Sequence, residues 1–149
     1  LQSPPTALSL GLHQPSRGRA QSGITPSTFS GEDHVLIILN VAPYGGERTY
    51  NGVRLALALL KADPQTQLTL FLMGDAVLTA KAGQKTPEGY YNLERMLGRV
   101  LLAKGSVLLC GTCMAARGIA DTEILEGARQ STMDALAEAM IGADKVLAF

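Results

Sequence analysis

The sequence lacks tryptophan, has only two cysteines and two histidines, and carries no excess of either charge, 13 basic residues facing 13 acidic ones. Each shortage excludes a class of protein. Zero net charge leaves no basic footprint for a nucleic acid backbone. Two cysteines do not make the disulfide framework of a small secreted scaffold. No uncharged apolar run approaches the roughly 18 residues that span a bilayer, so no membrane-spanning role is expected. What is present is a chain of 149 residues, 46% apolar and 17% charged. That is one domain's length, and it is too apolar and too weakly charged for general disorder.

Residues 1–34 differ in texture from the rest. They are rich in Ser, Pro, Gly, Gln and Thr, with isolated Leu8, Leu10, Leu12, Ile24 and Phe29 in no period of 2 or 3.6. Such a segment has too little apolar surface to offset its ordering entropy and is expected to be a flexible leader. It has no basic n-region followed by a continuous apolar stretch, so it does not read as a signal peptide.

From Val35 to Phe149 the sequence alternates buried-strand and helix signals. Val35–Leu39 is an unbroken β-branched and aliphatic run, as in a strand covered on both faces. Glu47–Lys61 reads as a helix with Val53, Ala56, Leu57 and Leu60 on one stripe. Leu55, Ala58 and Leu59 widen that stripe, so the helix packs between the sheet and a neighbouring helix or also enters a subunit interface. Asp63-Pro64 ends it. Gln67–Met73 is a second strand, and Thr79–Gly89 a polar loop long enough to be functional. Tyr90–Lys104 is a second helix, with Gly105 at its C′ position, and Ser106–Leu109 a third strand. After a strand-to-helix turn and a short helix over Cys110–Gly118, and an irregular or partly helical stretch from Ile119 to Gln130, Ser131-Thr-Met-Asp134 has capping-box character. It opens a helix with Met133, Leu136, Ala137 and Met140 on one face, and Lys145–Phe149 forms a last strand. The expected architecture is α/β: a three-layer α/β/α sandwich around a mainly parallel sheet of about five strands. Sites in such folds gather at the carboxyl edge of the strands.

The chemistry is concentrated in Cys110-Gly-Thr-Cys113. A thiolate where a strand turns into a helix meets unpaired N–H groups and the positive end of the helix dipole, which predicts a depressed pKa. Gly111 lets backbone approach closely, Thr112 lies between the thiols, and Arg117, one helical turn past Cys113, can add positive charge. The bland alternative is a pair of small buried residues. Three chemistries compete for the pair. Zinc needs four ligands, and the remaining candidates are His13 and His34, in or beside the leader, so no metal is expected. A dithiol oxidoreductase fits the motif but not its late position in the chain. The third chemistry is a persulfide carrier. No cofactor is implied.

Other residues of the converging loops are candidates for support. Asp75 can orient a thiol or accept a proton, or simply cap a turn. Arg48 opens the first helix beside Glu47, and Tyr44 and Tyr50 flank that loop. Tyr90 and Tyr91 begin the second helix as packing residues, and Gln84 and Lys85 can cover the cysteines. Gly45-Gly46 lacks both the P-loop ending and G-x-G-x-x-G, which argues against a nucleotide on that loop.

Four blocks carry a resemblance: Pro43-Tyr-Gly-Gly-Glu-Arg-Thr-Tyr-Asn51, Phe71-Leu-Met-Gly-Asp-Ala-Val77, Cys110-Gly-Thr-Cys-Met-Ala-Ala-Arg-Gly118 and Ala143-Asp-Lys-Val-Leu-Ala-Phe149. In order and spacing they resemble the DsrE/DsrF-like family, in its YchN-like branch, over residues 35–149. The resemblance implies a cytoplasmic homo-oligomer, a trimer or hexamer, and kinship with sulfur-relay subunits that pass sulfane sulfur between partner proteins as a cysteine persulfide. In those relatives the active cysteine lies eight residues before the Gly of an Arg-Gly pair, which here is Cys110 counted from Gly118. Cys113 has no counterpart in that carrier pattern, though it fits the YchN-like Cys-Gly-Thr-Cys form. A second thiol so close can release a persulfide as sulfide by closing a disulfide. The rival functions are a non-catalytic small-molecule-binding or scaffold module of the same fold and a C-x-x-C dithiol oxidoreductase.

Overall fold

The computed structural model describes residues 33–149; the leader expected over residues 1–34 lies outside them except for its last two. Five strands form one parallel sheet: β1 (His34–Leu39), β2 (Gln67–Leu72), β3 (Ser106–Cys110), β4 (Arg129–Ser131) and β5 (Lys145–Ala148), in the order β4-β3-β2-β1-β5. The helices are α1 (Arg48–Ala62), α2 (Leu93–Leu102), the short α3 (Gly111–Ala115) and α4 (Met133–Gly142).

Strand register sorts the core into two layers. Ile38, Phe71 and Leu108 are neighbours across three strands, so with period 2 they share a face with Leu36 and Cys110. Val35, Ile37, Leu39, Leu68, Leu70, Leu72, Val107 and Leu109 share the other. Right-handed crossovers place α1 and α2 on the Leu39 face, because β1, β2 and β3 advance in one direction. The return from β4 to β5 places α4 on the opposite face, where Glu138 and Ala139 sit over Leu36 and Thr69. The α1 contact is tight at Gly52, where an added Cβ would meet Leu39 Cδ2 at 2.5 Å and the Phe149 ring at 3.2 Å. The α/β fold is therefore the expected one, and α1 packs on the sheet beside α2 with Val53, Ala56 and Leu60 buried.

Several local expectations are corrected. The fifth strand, β4, falls where an irregular stretch was expected: three polar residues pair with the free edge of β3 and carry no periodicity of their own. Thr132, not Ser131, caps α4, its Oγ1 accepting from the Ala135 N–H at 3.1 Å, because Ser131 is held in β4 opposite Cys110. On that helix only Leu136 is buried; Met133 and Met140 are 52% and 45% exposed. The second helix starts at Leu93, capped by Asn92 (Arg95 N–H to Oδ1, 2.9 Å), so Tyr90 and Tyr91 precede it in a turn closed by the Tyr90 N–H on the Pro87 carbonyl. A 3-10 segment, Gly74–Ala80, leads into the expected polar loop and takes in its first two residues, Thr79 and Ala80.

The end of α2 is also shifted by one residue. Lys104 takes the left-handed conformation, φ 66°, and Gly105 donates to the Val100 carbonyl at 2.9 Å. Glycine is needed at 105 for space, since a Cβ there would lie 2.6 Å from Val100 Cγ1. The strained position belongs to lysine. Lys104→Gly is expected to stabilise the fold by about 1 kcal/mol, read as a raised urea midpoint at unchanged slope.

Candidate functional site

The carboxyl ends of β2 and β3 bring the site together. Cys110 is the last residue of β3 and the N-cap of α3, and its side chain lies on the α4 face, 4% exposed. It opens onto a cavity of about 250 Å³ lined by Gly111, Thr112, Gln130, Ser131, Thr132, Met133 and Asp134. The cavity therefore sits between the first turns of α3 and α4. Gly111 leaves room for the Gln130 side chain: an added Cβ would lie 2.3 Å from Gln130 Nε2 and would oblige that side chain to move.

Opposing influences act on the Cys110 thiol. Burial, the largest, pushes its pKa up, as do the hydrogen bond and charge interaction with the Cys113 thiol. Backbone N–H groups of Cys113 and Thr112 aimed at the sulfur pull it down. The net shift is upward, which corrects the expectation of a depressed value. With only five residues, α3 offers local N–H donors rather than a long dipole, and they do not outweigh burial. Both thiols are free.

Cys113 is half-buried, and its Sγ accepts the Gly74 N–H at 3.2 Å. Gly74, two residues past the end of β2, has φ 55°, and a Cβ there would meet the Asn40 carbonyl oxygen at 3.0 Å. Arg117 does not reach a sulfur. Its Nε and Nη2 donate to Asp75 Oδ1 at 2.9 and 2.6 Å, and its Nη1 donates to the Cys113 carbonyl at 3.0 Å. Asp75 and Arg117 thus neutralise one another and tie α3 to the 3-10 segment. The pair is partly exposed, 59% for Asp75, and is worth about 1 kcal/mol or less.

Tyr44 and Arg48 are outside this cavity. The Tyr44 hydroxyl donates to Gln84 Oε1 at 2.5 Å and accepts the Leu93 N–H at 3.2 Å, which pins the loop to the start of α2. Arg48 is exposed on the first turn of α1. Gln84 does not cover the cysteines: its Nε2 donates to the Thr79 and Lys81 carbonyls at 2.8 and 2.9 Å. Sequence reasoning missed Gln130, Thr132 and Met133 as cavity residues, and the strand that positions Gln130 leaves no sequence signal. Among the described residues no group of three or more His, Cys, Asp or Glu is placed to hold a metal ion, and no helix is long and apolar enough to cross a membrane.

The model of the DsrE/DsrF-like family matches residues 33–149. Protein YchN of Escherichia coli K12 is 42% identical over 115 residues, covering 77% of this chain and 97% of that protein. The uncharacterised protein MJ0989 of Methanocaldococcus jannaschii is 35% identical over 114 residues, covering 76% and 96%. The crystal structure of the E. coli YchN protein superposes with a TM-score of 0.76 at 41% identity, over 78% of this chain and 99% of that one. A protein of unknown function from Methanobacterium thermoautotrophicum, MTH1491, shares the fold with a TM-score of 0.64 at 9% identity, over 78% and 99%.

Proposed function

The chain belongs to the DsrE/DsrF-like family, and on that premise we propose that it is a cytoplasmic sulfur-relay protein in which Cys110 accepts sulfane sulfur. The observation that carries the reading is the setting of Cys110. Its sulfur ends a central parallel strand, receives the Thr112 and Cys113 N–H groups, and faces a cavity. In uptake the Cys110 thiolate attacks the outer sulfur of a donor persulfide. A new S–S bond forms on Cys110, the donor's S–S bond breaks, and the donor leaves as a thiolate. The same N–H groups then stabilise the anionic persulfide. Cys113, whose thiol interacts with that of Cys110, would attack the inner sulfur. That step closes a Cys110–Cys113 disulfide and expels hydrosulfide, the two electrons leaving with the released sulfur. Partners supply and remove sulfur, so the protein acts as a carrier rather than a turnover enzyme.

Self-association as a trimer or hexamer is part of the proposal. Met133, Met140 and Ile141 of α4 and Val146 of β5 are 52%, 45%, 87% and 44% exposed, an apolar grouping that a lone domain leaves wet.

The test is an intact mass after incubating the reduced protein with a persulfide donor, with Cys110→Ser and Cys113→Ser alongside. A gain of one sulfur in the wild type and in Cys113→Ser, absent in Cys110→Ser, is the expected result. Uptake that persists in Cys110→Ser sinks the assignment. A native mass on the same samples reads the oligomer.

A further inference from the structure

The chain's four tyrosines form one cluster, and the groove that three of them line shares no residue with the Cys110 cavity. Tyr91 stacks on Tyr50 with centroids 4.1 Å apart and on Tyr90 at 4.5 Å, while Tyr44 tilts against Tyr90 and Tyr91. The Arg54 guanidinium lies 5.2 Å from the Tyr50 centroid, and Tyr90 at the other end of the stack is 50% exposed. The stack forms a wall of a groove of about 570 Å³ between α1 and α2, whose other walls carry Arg54, Arg95 and Arg99.

The three guanidinium groups share one groove and, like Arg48, Lys61, Lys85, Lys104 and Arg129, form no ion pair with a carboxylate among the described residues. Lys81, Arg117 and Lys145 each hold an acidic partner. Among the described residues Arg54, Arg95 and Arg99 have none; Arg54 donates only to Asn51 Oδ1, at 3.2 Å. Glu94, next to Arg95 in sequence, is turned away to accept the Gly83 and Gln84 N–H groups at 3.0 and 2.7 Å. Glu47 acts on Tyr91, at the far end from Arg95 and Arg99 along α2. Three arginines that line one groove and are not paired with carboxylates favour an anion, and arginine forks match phosphate oxygens. A half-exposed ring at the end of a stack favours another flat ring. The groove's volume lies in the range of small-molecule sites.

We propose that this groove binds a phosphorylated aromatic ligand of the mononucleotide class, its ring extending the stack at Tyr90 and its phosphates held by Arg54, Arg95 and Arg99. The inference does not rest on the sulfur-relay reading. It also differs from a phosphate loop at Gly45-Gly46, because the donors here are side chains on helix faces.

The test is calorimetry at low salt on the full chain, with ADP, adenosine and inorganic pyrophosphate titrated separately. ADP is expected to bind saturably and at least about tenfold more tightly than either fragment. Arg95→Gln with Arg99→Gln is expected to weaken ADP at least about tenfold, and Tyr90→Ala about fivefold or more. These side chains are exposed, so an unchanged circular dichroism spectrum checks the fold. Cys110→Ser is expected to bind ADP as the wild type does, whatever its sulfur uptake. Absence of saturable ADP binding overturns the proposal. So does pyrophosphate binding as tightly as ADP, which describes a plain anion patch, or unchanged affinity in the arginine variant.

Discussion

Iodoacetamide at neutral pH is expected to modify Cys113 at least about tenfold faster than Cys110. Two consequences of burial point the same way. Cys110 is 4% exposed whereas Cys113 is half-buried, so the reagent meets the second sulfur first. Burial also raises the Cys110 thiol, and each unit of upward shift removes about nine-tenths of the reactive thiolate. The sign of the pH effect follows: the rate at Cys110 climbs with pH and keeps climbing beyond the range where an ordinary thiol has levelled off. Peptide mass spectrometry over a time course reads both sites, and the pH series is cleanest in Cys113→Ser, where one thiol remains. Preferential labelling of Cys110 at neutral pH would contradict the burial seen here. On the proposed sulfur-relay function, a donor would have to bring its persulfide into the cavity beside Gln130 and Met133. A carrier thiol that is quiet until a partner docks is protected from adventitious oxidation, because the thiolate is the species on which oxidants act.

How much of this was legible in the sequence depends on whether the cause is local. The runs at Val35–Leu39 and Gln67–Leu72 announce buried parallel strands because both faces need apolar side chains, and they are where they were expected. The four blocks that resemble the DsrE/DsrF-like family pointed to the family that the chain proves to belong to. Arg129-Gln-Ser131 is a strand only because β3 offers an unpaired edge, and nothing in three polar residues encodes that edge. The same pairing moves the α4 cap from Ser131 to Thr132. At the end of α2, glycine suggested a left-handed turn at residue 105, yet Val100 needs the space there and Lys104 takes the turn. The Cys110 thiol is the clearest case. Its position at a strand end was readable, but the balance between burial and N–H donors is set by Cys113, Thr112 and the packing around them, which only the fold brings together. Likewise the pairing of Asp75 with Arg117, 42 residues apart, diverts a charge that the sequence offered to the sulfur.

Phe71→Ala is expected to cost about 3–5 kcal/mol, the usual range for emptying a buried phenylalanine site, and to lower the melting temperature by roughly 10–20 °C. Phe71 is fully buried near the carboxyl end of β2, beside Ile38 on β1 and Leu108 on β3, all three on the α4 face of the sheet. Strands on both sides hold the backbone in place, so the cavity cannot collapse cheaply. Urea denaturation followed by circular dichroism measures the loss, and a change below about 1 kcal/mol would mean that the α4 face is not packed as described. A second readout links the fold to the site. Three residues past Phe71, the Gly74 N–H is bonded to Cys113 Sγ. Loosening the carboxyl end of β2 weakens that bond, so Cys113 in Phe71→Ala is expected to alkylate faster even where the chain is still folded. Cys110→Ser, nearly isosteric, is expected to leave the melting temperature within a few degrees while sulfur uptake is lost. The two variants separate the roles: the aromatic ring holds the strands that place the thiols, and the thiol performs the proposed chemistry.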